Sequence, residues 1–142
     1  MLGLIDLNVK PDELSALVLA YVGDAVYELA VREYLVGRGL ANVNKLHREA
    51  VRRVRASTQA IIFHALEGRL SKAEEAVARR GRNAKSGHGP RGDSIIEYRH
   101  STGFESLVGY LYLSRDWARL EEILTIARQV IENELEVNAP NQ

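Results

Sequence analysis

Apolar residues recur along this chain at spacings of three and four, the interval that places them on one face of an α-helix. No segment alternates apolar and polar residues as a half-buried strand would, so the expected fold class is all-α. Pro11 reads as a first-turn proline opening a helix that runs to Gly37-Arg38-Gly39, where glycines stop it. Asn42 or Asn44 caps a second helical stretch through "KLHREAVRRVRASTQAIIFHAL", ending near Gly68. Ser71 with Glu74 forms a capping-box pattern for a short helix that meets Gly81. Residues 81–92, "GRNAKSGHGPRG", make the one long glycine-rich loop. Ser94 with Glu97 and Thr102 with Glu105 suggest two further short helices, and a last helix runs from about Asp116 to Glu136. The expectation is a single domain over residues 1–142, with 1–10 and 137–142 as loose termini and no internal repeat.

One stretch breaks this pattern. "LAYVGDAVYELA", residues 19–30, reads as the interior of an apolar helix, yet Gly23 and Asp24 sit in its middle. Glycine costs a helix interior about 1 kcal/mol relative to alanine, and an unpartnered carboxylate on a packed face is worse. At about 100° per residue, Leu17, Ala20, Tyr21, Asp24 and Glu28 share one face. Two carboxylates there could share a divalent cation, since Mg²⁺ takes oxygen ligands and is often held by only one or two carboxylates. Two plainer readings stand beside that one. Asp24 caps a second helix after a break at Gly23, or Glu28 simply pairs with Arg32 one turn on. Glu105 interrupts the apolar run "STGFESLVGYLYL" in the same way, and Thr102-x-x-Glu105 is also a capping box.

Composition narrows the classes. With 46% hydrophobic residues and three prolines, the chain can bury a real core. The absence of cysteine removes disulfides, thiolate metal sites and cysteine nucleophiles together and fits a reducing compartment. Asp6 interrupts any signal-peptide core and no apolar run is long enough to span a bilayer, so the expected location is cytoplasmic. Nineteen Lys and Arg balance nineteen Asp and Glu, but they are unevenly placed. Arg79, Arg80, Arg82, Lys85 and Arg91 lie in an acid-free run, while Glu132, Glu134 and Glu136 make an acidic end.

The basic run fails as a P-loop, because Ala84 stands where the second glycine belongs and no strand precedes it. It remains a glycine-rich cationic loop able to hold phosphates, or else a solvated surface loop. Lys45, Arg48, Arg52 and Arg55 fall within an arc of about 80° on a helix whose far side carries Leu46, Ala50, Val51 and Val54. Such a ridge suits a duplex backbone, and no aromatic platform for single-stranded bases accompanies it. A solvent-facing stripe is the plain alternative. His47, His64, His88 and His100 lack the spacing of a zinc site. Trp117, Tyr110 and Tyr112 read as core or interface anchors.

Together these pieces resemble one family. "LAYVGDAVYELA" is similar to the ribonuclease III signature, an aromatic and an apolar residue followed by Gly-Asp-Ala. "GFESLVGYLYL" is similar to that family's second acidic motif. The compact length and "RRGRNAKSG" point closer, to the Mini-III ribonucleases, which are ribonuclease III catalytic domains without a double-stranded-RNA-binding domain. The similarity covers roughly residues 11–130.

The resemblance implies an all-helical, homodimeric endonuclease that hydrolyses double-stranded RNA and leaves 5′-phosphate and 3′-hydroxyl ends. Asp24 and Glu105 match the family's catalytic, metal-binding acids, with Mg²⁺ as cofactor and Mn²⁺ as substitute. Arg79, Arg82, Asn83, Lys85, Ser86 and Arg91 lie where the duplex is contacted, and Lys45, Arg48, Arg52 and Arg55 are added to the RNA-binding set. The implied substrate is the large-subunit (23S) ribosomal RNA precursor, with a ribosomal protein on that RNA as a further partner.

The chain departs from larger family members at Leu17, Ala20 and Thr102, where those carry acids, and near His47 and Arg48, where no acid stands. These departures bear on how many metals bind. The rival readings are a catalytically inactive ribonuclease III-like RNA-binding module of a larger ribonucleoprotein and a helical protein-interaction domain.

Overall fold

The structure is a computed structural model that describes residues 5–85 and 94–137. Among the described residues there are six α-helices and no strand: α1 Ala16–Gly37, α2 Val43–Val54, α3 Ala56–Ala65, α4 Lys72–Asn83, α5 Ser94–Leu113 and α6 Trp117–Val137. The all-α expectation is met, and the loop from Ser86 to Asp93 lies outside the described residues.

Local chemistry sets the ends. Pro11 opens only a short 3-10 turn, Pro11–Glu13, and Leu14 returns to extended backbone. The long helix begins later, where the Ser15 hydroxyl accepts from the Val18 N–H at 3.2 Å. Asn42 rather than Asn44 caps α2, accepting from Lys45 N at 3.0 Å. The Ser71–Glu74 capping box is reciprocal, with bonds of 3.2 and 2.9 Å. Asp116 accepts from Arg119 N at 3.3 Å ahead of α6. Arg115 donates to the Ile5 carbonyl at 2.6 Å, tying the N-terminal segment to the turn before α6.

Three further expectations are corrected. The second helical stretch is two helices, because Arg55 adopts extended backbone (φ −63°, ψ 154°) between α2 and α3. The carbonyls freed there are recaptured by side chains: Thr58 donates to Arg52 O at 2.6 Å and Gln59 to Val54 O at 2.7 Å. Gly81 does not end α4 but lies buried inside it, and residues 94–113 form one helix rather than two. Thr102 is no cap. It is buried in mid-helix and its hydroxyl donates to Tyr98 O at 3.0 Å.

Helix α5 is the central element, packed most extensively on α1 and then on α4 and α3, with α6 closing over α3 and α5. Phe104, Leu107, Val108 and Leu111 supply its buried face, and Tyr27 meets Phe104 edge to face at 5.1 Å. The α1–α5 contact is close because it is glycine on both sides. A Cβ on Gly23 would overlap the Glu105 carbonyl, and one on Gly109 would overlap the carbonyl of Leu19. The backbones of the two helices therefore touch, as only glycine permits.

Replacing Gly109 with alanine is expected to lower stability by about 3 kcal/mol or more, since the obstacle is backbone and cannot move aside. Thermal unfolding checks this. The gain of about 1 kcal/mol that alanine gives an unobstructed helix position would contradict it.

Candidate active site

Gly23 brings α1 onto α5 at the residue next to Asp24, and the carbonyl it touches is that of Glu105. The two acids, far apart in sequence, are consequently set side by side, and the Glu105 carboxyl hydrogen bonds to Asp24. Asp24 is exposed, whereas Glu105 is mostly covered. Burial first, then the hydrogen bond and negative charge of Asp24, push the Glu105 carboxyl up to about 9. Asp24 lies deep within α1, so it caps no second helix. Glu28 is engaged with Arg32 at 2.8 Å on the surface, as the plainer reading of that residue had it.

Two adjacent carboxylates repel one another, and a divalent ion is the group that would relieve them. Among the described residues no group of three or more His, Asp or Glu could hold a metal. The donor set is therefore these two carboxylates, which is enough for Mg²⁺ with waters completing its shell. Leu17 is exposed, Ala20 buried and Thr102 turned to Tyr98, so the positions without acids add no ligand from another direction. Asp24 opens onto a groove of about 1490 Å³ between α1 and α6, lined by Tyr21, Leu29, Trp117, Leu124 and Arg128 among others. Tyr21 stands 82% exposed on its wall.

The cationic residues are less uniform than the sequence suggested. Lys45 and Arg48 are exposed on α2. Arg52 is paired with Glu49 at 3.1 Å, and Arg55 sits at the helix break, so the four do not form one unbroken acid-free ridge. Glu49 also accepts from Arg53 at 2.8 Å, and Arg53's hydrogen bond holds its carboxyl below the usual range. Arg53 itself is buried and donates to both carboxylate oxygens of Glu132, at 2.8 and 3.1 Å. Glu132, which the sequence placed in an acidic tail, thus belongs to the body of the fold. Its sequence signal was its place next to Ile131, one of the apolar positions of α6 that pack inward.

At the end of α4, Arg79 is paired with Glu75 at 3.6 Å. Arg82 donates to Asn83 at 3.3 Å, and neither Arg82 nor Lys85 forms an ion pair among the described residues. Ser86 and Arg91 lie outside the described residues.

The model for the ribonuclease III domain matches residues 17–116, which contain both acids and the α1–α5 crossing. The chain belongs to the ribonuclease III family. Mini-ribonuclease 3 of Symbiobacterium thermophilum is 54% identical over 124 residues, spanning 87% of this chain and 95% of that protein. Mini-ribonuclease 3 of Brevibacillus brevis is 44% identical over 129 residues, 91% of this chain and 96% of that one. A crystal structure of a Fusobacterium nucleatum protein superposes with a TM-score of 0.75 at 30% identity, covering 87% of this chain and 96% of the other. The resemblance to Mini-III ribonucleases is thereby borne out, and with it the class of endoribonuclease. No described helix is long and apolar enough to cross a membrane.

The Glu105 environment gives this family member a characteristic pH dependence. Without metal, the folded protein keeps a proton on Glu105 that the unfolded chain gives up in the ordinary carboxyl range. Its stability is therefore undiminished below that range and falls as pH rises towards about 9. Glu105→Gln is expected to flatten that fall and raise the metal-free melting temperature at alkaline pH, by roughly 3 °C per kcal/mol recovered. Melting curves of both proteins across the range check it; equal pH slopes would contradict it.

Proposed function

We propose that this protein is a Mg²⁺-dependent endoribonuclease of double-stranded RNA, working as a homodimer, with Mn²⁺ as a substitute ion. The single observation that carries the reading is the convergence of Asp24 and Glu105 across the glycine crossing. Both acids would hold the ion through carboxylate oxygens. Bound there, Mg²⁺ would lower the pKa of a coordinated water and offset charge developing on the phosphate. The protein's own part is to fix the two carboxylates and keep Glu105 deprotonated once a cation faces it. It also aligns the duplex so that the phosphodiester is attacked in line, leaving 5′-phosphate and 3′-hydroxyl ends.

Arg82, Asn83 and Lys85, together with Lys45 and Arg48, supply groups of the kind that grip an A-form backbone by shape and phosphate rather than by base. Arg79, Arg52, Arg55, Ser86 and Arg91 complete the proposed RNA-binding set. The groove between α1 and α6, with Tyr21 projecting beside Asp24, supports a second copy of the chain as its occupant. Two active sites would then face one duplex. The substrate we propose is the 23S ribosomal RNA precursor, carried on its ribosomal protein in the cytoplasm, as the resemblance to Mini-III ribonucleases implies. A catalytically inactive RNA-binding role is disfavoured, because it would not require two acids held together at a cost in stability.

Asp24→Asn is expected to abolish cleavage of a defined RNA duplex at any Mg²⁺ concentration while folding and duplex binding persist. A gel-based digest reads the first, circular dichroism the second and a binding titration the third; cleavage surviving the substitution would remove Asp24 from the site. Replacing Arg82 and Lys85 with alanine should weaken duplex binding and flatten its salt dependence by about one unit of slope for each phosphate no longer held. An unchanged slope in binding titrations would take this end of α4 out of the interface.

A further inference from the structure

Away from the acidic pair, the exit of α4 gathers three side chains that carry or can take positive charge. His64 in α3 and His100 in α5 meet edge to face with ring centroids 4.4 Å apart. His100 lies flat on Phe63, centroids 5.0 Å apart and planes 17° from parallel. Phe63 is in turn wedged at Gly103, where a Cβ would come within 2.6 Å of its ring. The His100 imidazole is thus held on a fixed plate. The charged groups that act on it are His64 from α3, Arg82 from α4 and Glu67 from the turn after α3.

Hydrogen bonding leaves this group short of an acceptor. His64 uses Nδ1 toward Glu67 at 3.1 Å. Arg82 uses Nε toward Asn83 at 3.3 Å, which leaves its terminal nitrogens without an acceptor among the described residues. Its helical neighbour Arg79 has Glu75, and Arg119 has Glu74 at 2.9 Å, whereas no carboxylate pairs with Arg82 among the described residues. His100 makes ring contacts but no hydrogen bond among the described residues. Burial, then His64 and Arg82, push its imidazole below the ordinary range, with Glu67 opposing them. Phe63, Glu67, Glu75, Arg79 and Arg82 line a neighbouring cavity of about 270 Å³ that neither histidine lines, while the His64 side chain is 55% exposed, so solvent and ligand reach the pair from its side.

We propose that His64, His100 and Arg82 form an oxyanion subsite that grips one backbone phosphate of the bound duplex, with an imidazolium forming as the phosphate docks. The subsite rests on the duplex-RNA reading given above. The phosphate is a different one from that being cut. His100 precedes Glu105 by five residues, about 7.5 Å along the α5 axis and some 140° around it, toward α3 and α4 rather than α1. Arg82 places the site three residues before the exposed Lys85. A neutral ligand would gain little from imidazolium over imidazole; a phosphate anion gains a charge partner, so docking takes up a proton. Duplex binding therefore tightens as pH falls, with each unit by which RNA raises the His100 pKa worth tenfold in affinity.

The test uses the full chain carrying Asp24→Asn, so that RNA is bound but not cut. Imidazole resonances are titrated by NMR alone, with a short RNA duplex and with inorganic phosphate. The duplex is expected to raise the His100 pKa by about one unit or more. Duplex affinity should fall roughly tenfold between about pH 5.5 and pH 7.5. With His64→Gln and His100→Gln added, the change should be less than about twofold. Tight duplex binding with an unmoved His100 pKa, or an unaltered pH slope in the glutamine variants, overturns the subsite and leaves the duplex-RNA reading standing. A His100 response to inorganic phosphate but not to the duplex overturns the assignment to RNA. Absence of duplex binding at any pH defeats the duplex-RNA reading and the subsite with it.

Discussion

Where α1 crosses α5, the carbonyl of Glu105 lies against Gly23 and the carbonyl of Leu19 against Gly109. Side chains ordinarily hold helix axes about 8–10 Å apart; here the peptide groups themselves set the approach. The crossing also sets which side chains flank it, and on one side these are Asp24 and Glu105. A carboxyl partly buried beside another carboxyl is a local cost, and the packing of Phe104, Leu107, Val108 and Leu111 along α5 is what sustains it. Stability and chemistry here are the same contact seen from its two sides.

Charge is distributed by the same logic. The sequence is neutral overall, but its acids do not merely screen its bases. Glu49 and Glu132 clasp Arg53, tying α2 to α6, and Glu74 holds Arg119, tying α4 to α6. Arg82 and Lys85 at the exit of α4 and the exposed Lys45 and Arg48 on α2 are among the cations that no ion pair engages among the described residues. A neutral protein presents a face to a polyanion through where its charges lie, and the exit of α4 and the start of α2 are places where cations stand without a paired acid.

Much of this was legible along the chain. Helical periodicity indicated the fold class, and the Ser71–Glu74 box and the α6 boundaries fell within a residue or two of where they stand. Gly23-Asp24 was legible as an anomaly, because it violates helix preference without local compensation. Its partner was less so, since Thr102-x-x-Glu105 mimics a capping box that mid-helix burial of Thr102 rules out. Gly81 looked like a terminator because sequence cannot distinguish a glycine that ends a helix from one that admits a neighbour. The Arg53–Glu132 pair and the His64–His100 contact join residues separated by long stretches of chain, which no local pattern can reveal.

The bend at Arg55 owes nothing to proline or glycine, since residues 43–65 contain neither. The kink is therefore a choice of the folded whole, held by the Arg53 clasp below it and by the Thr58 and Gln59 clips across it. Loosening those fastenings would free the angle between α2 and α3, and Lys45 and Arg48, near the start of α2, would lose the orientation that angle gives them.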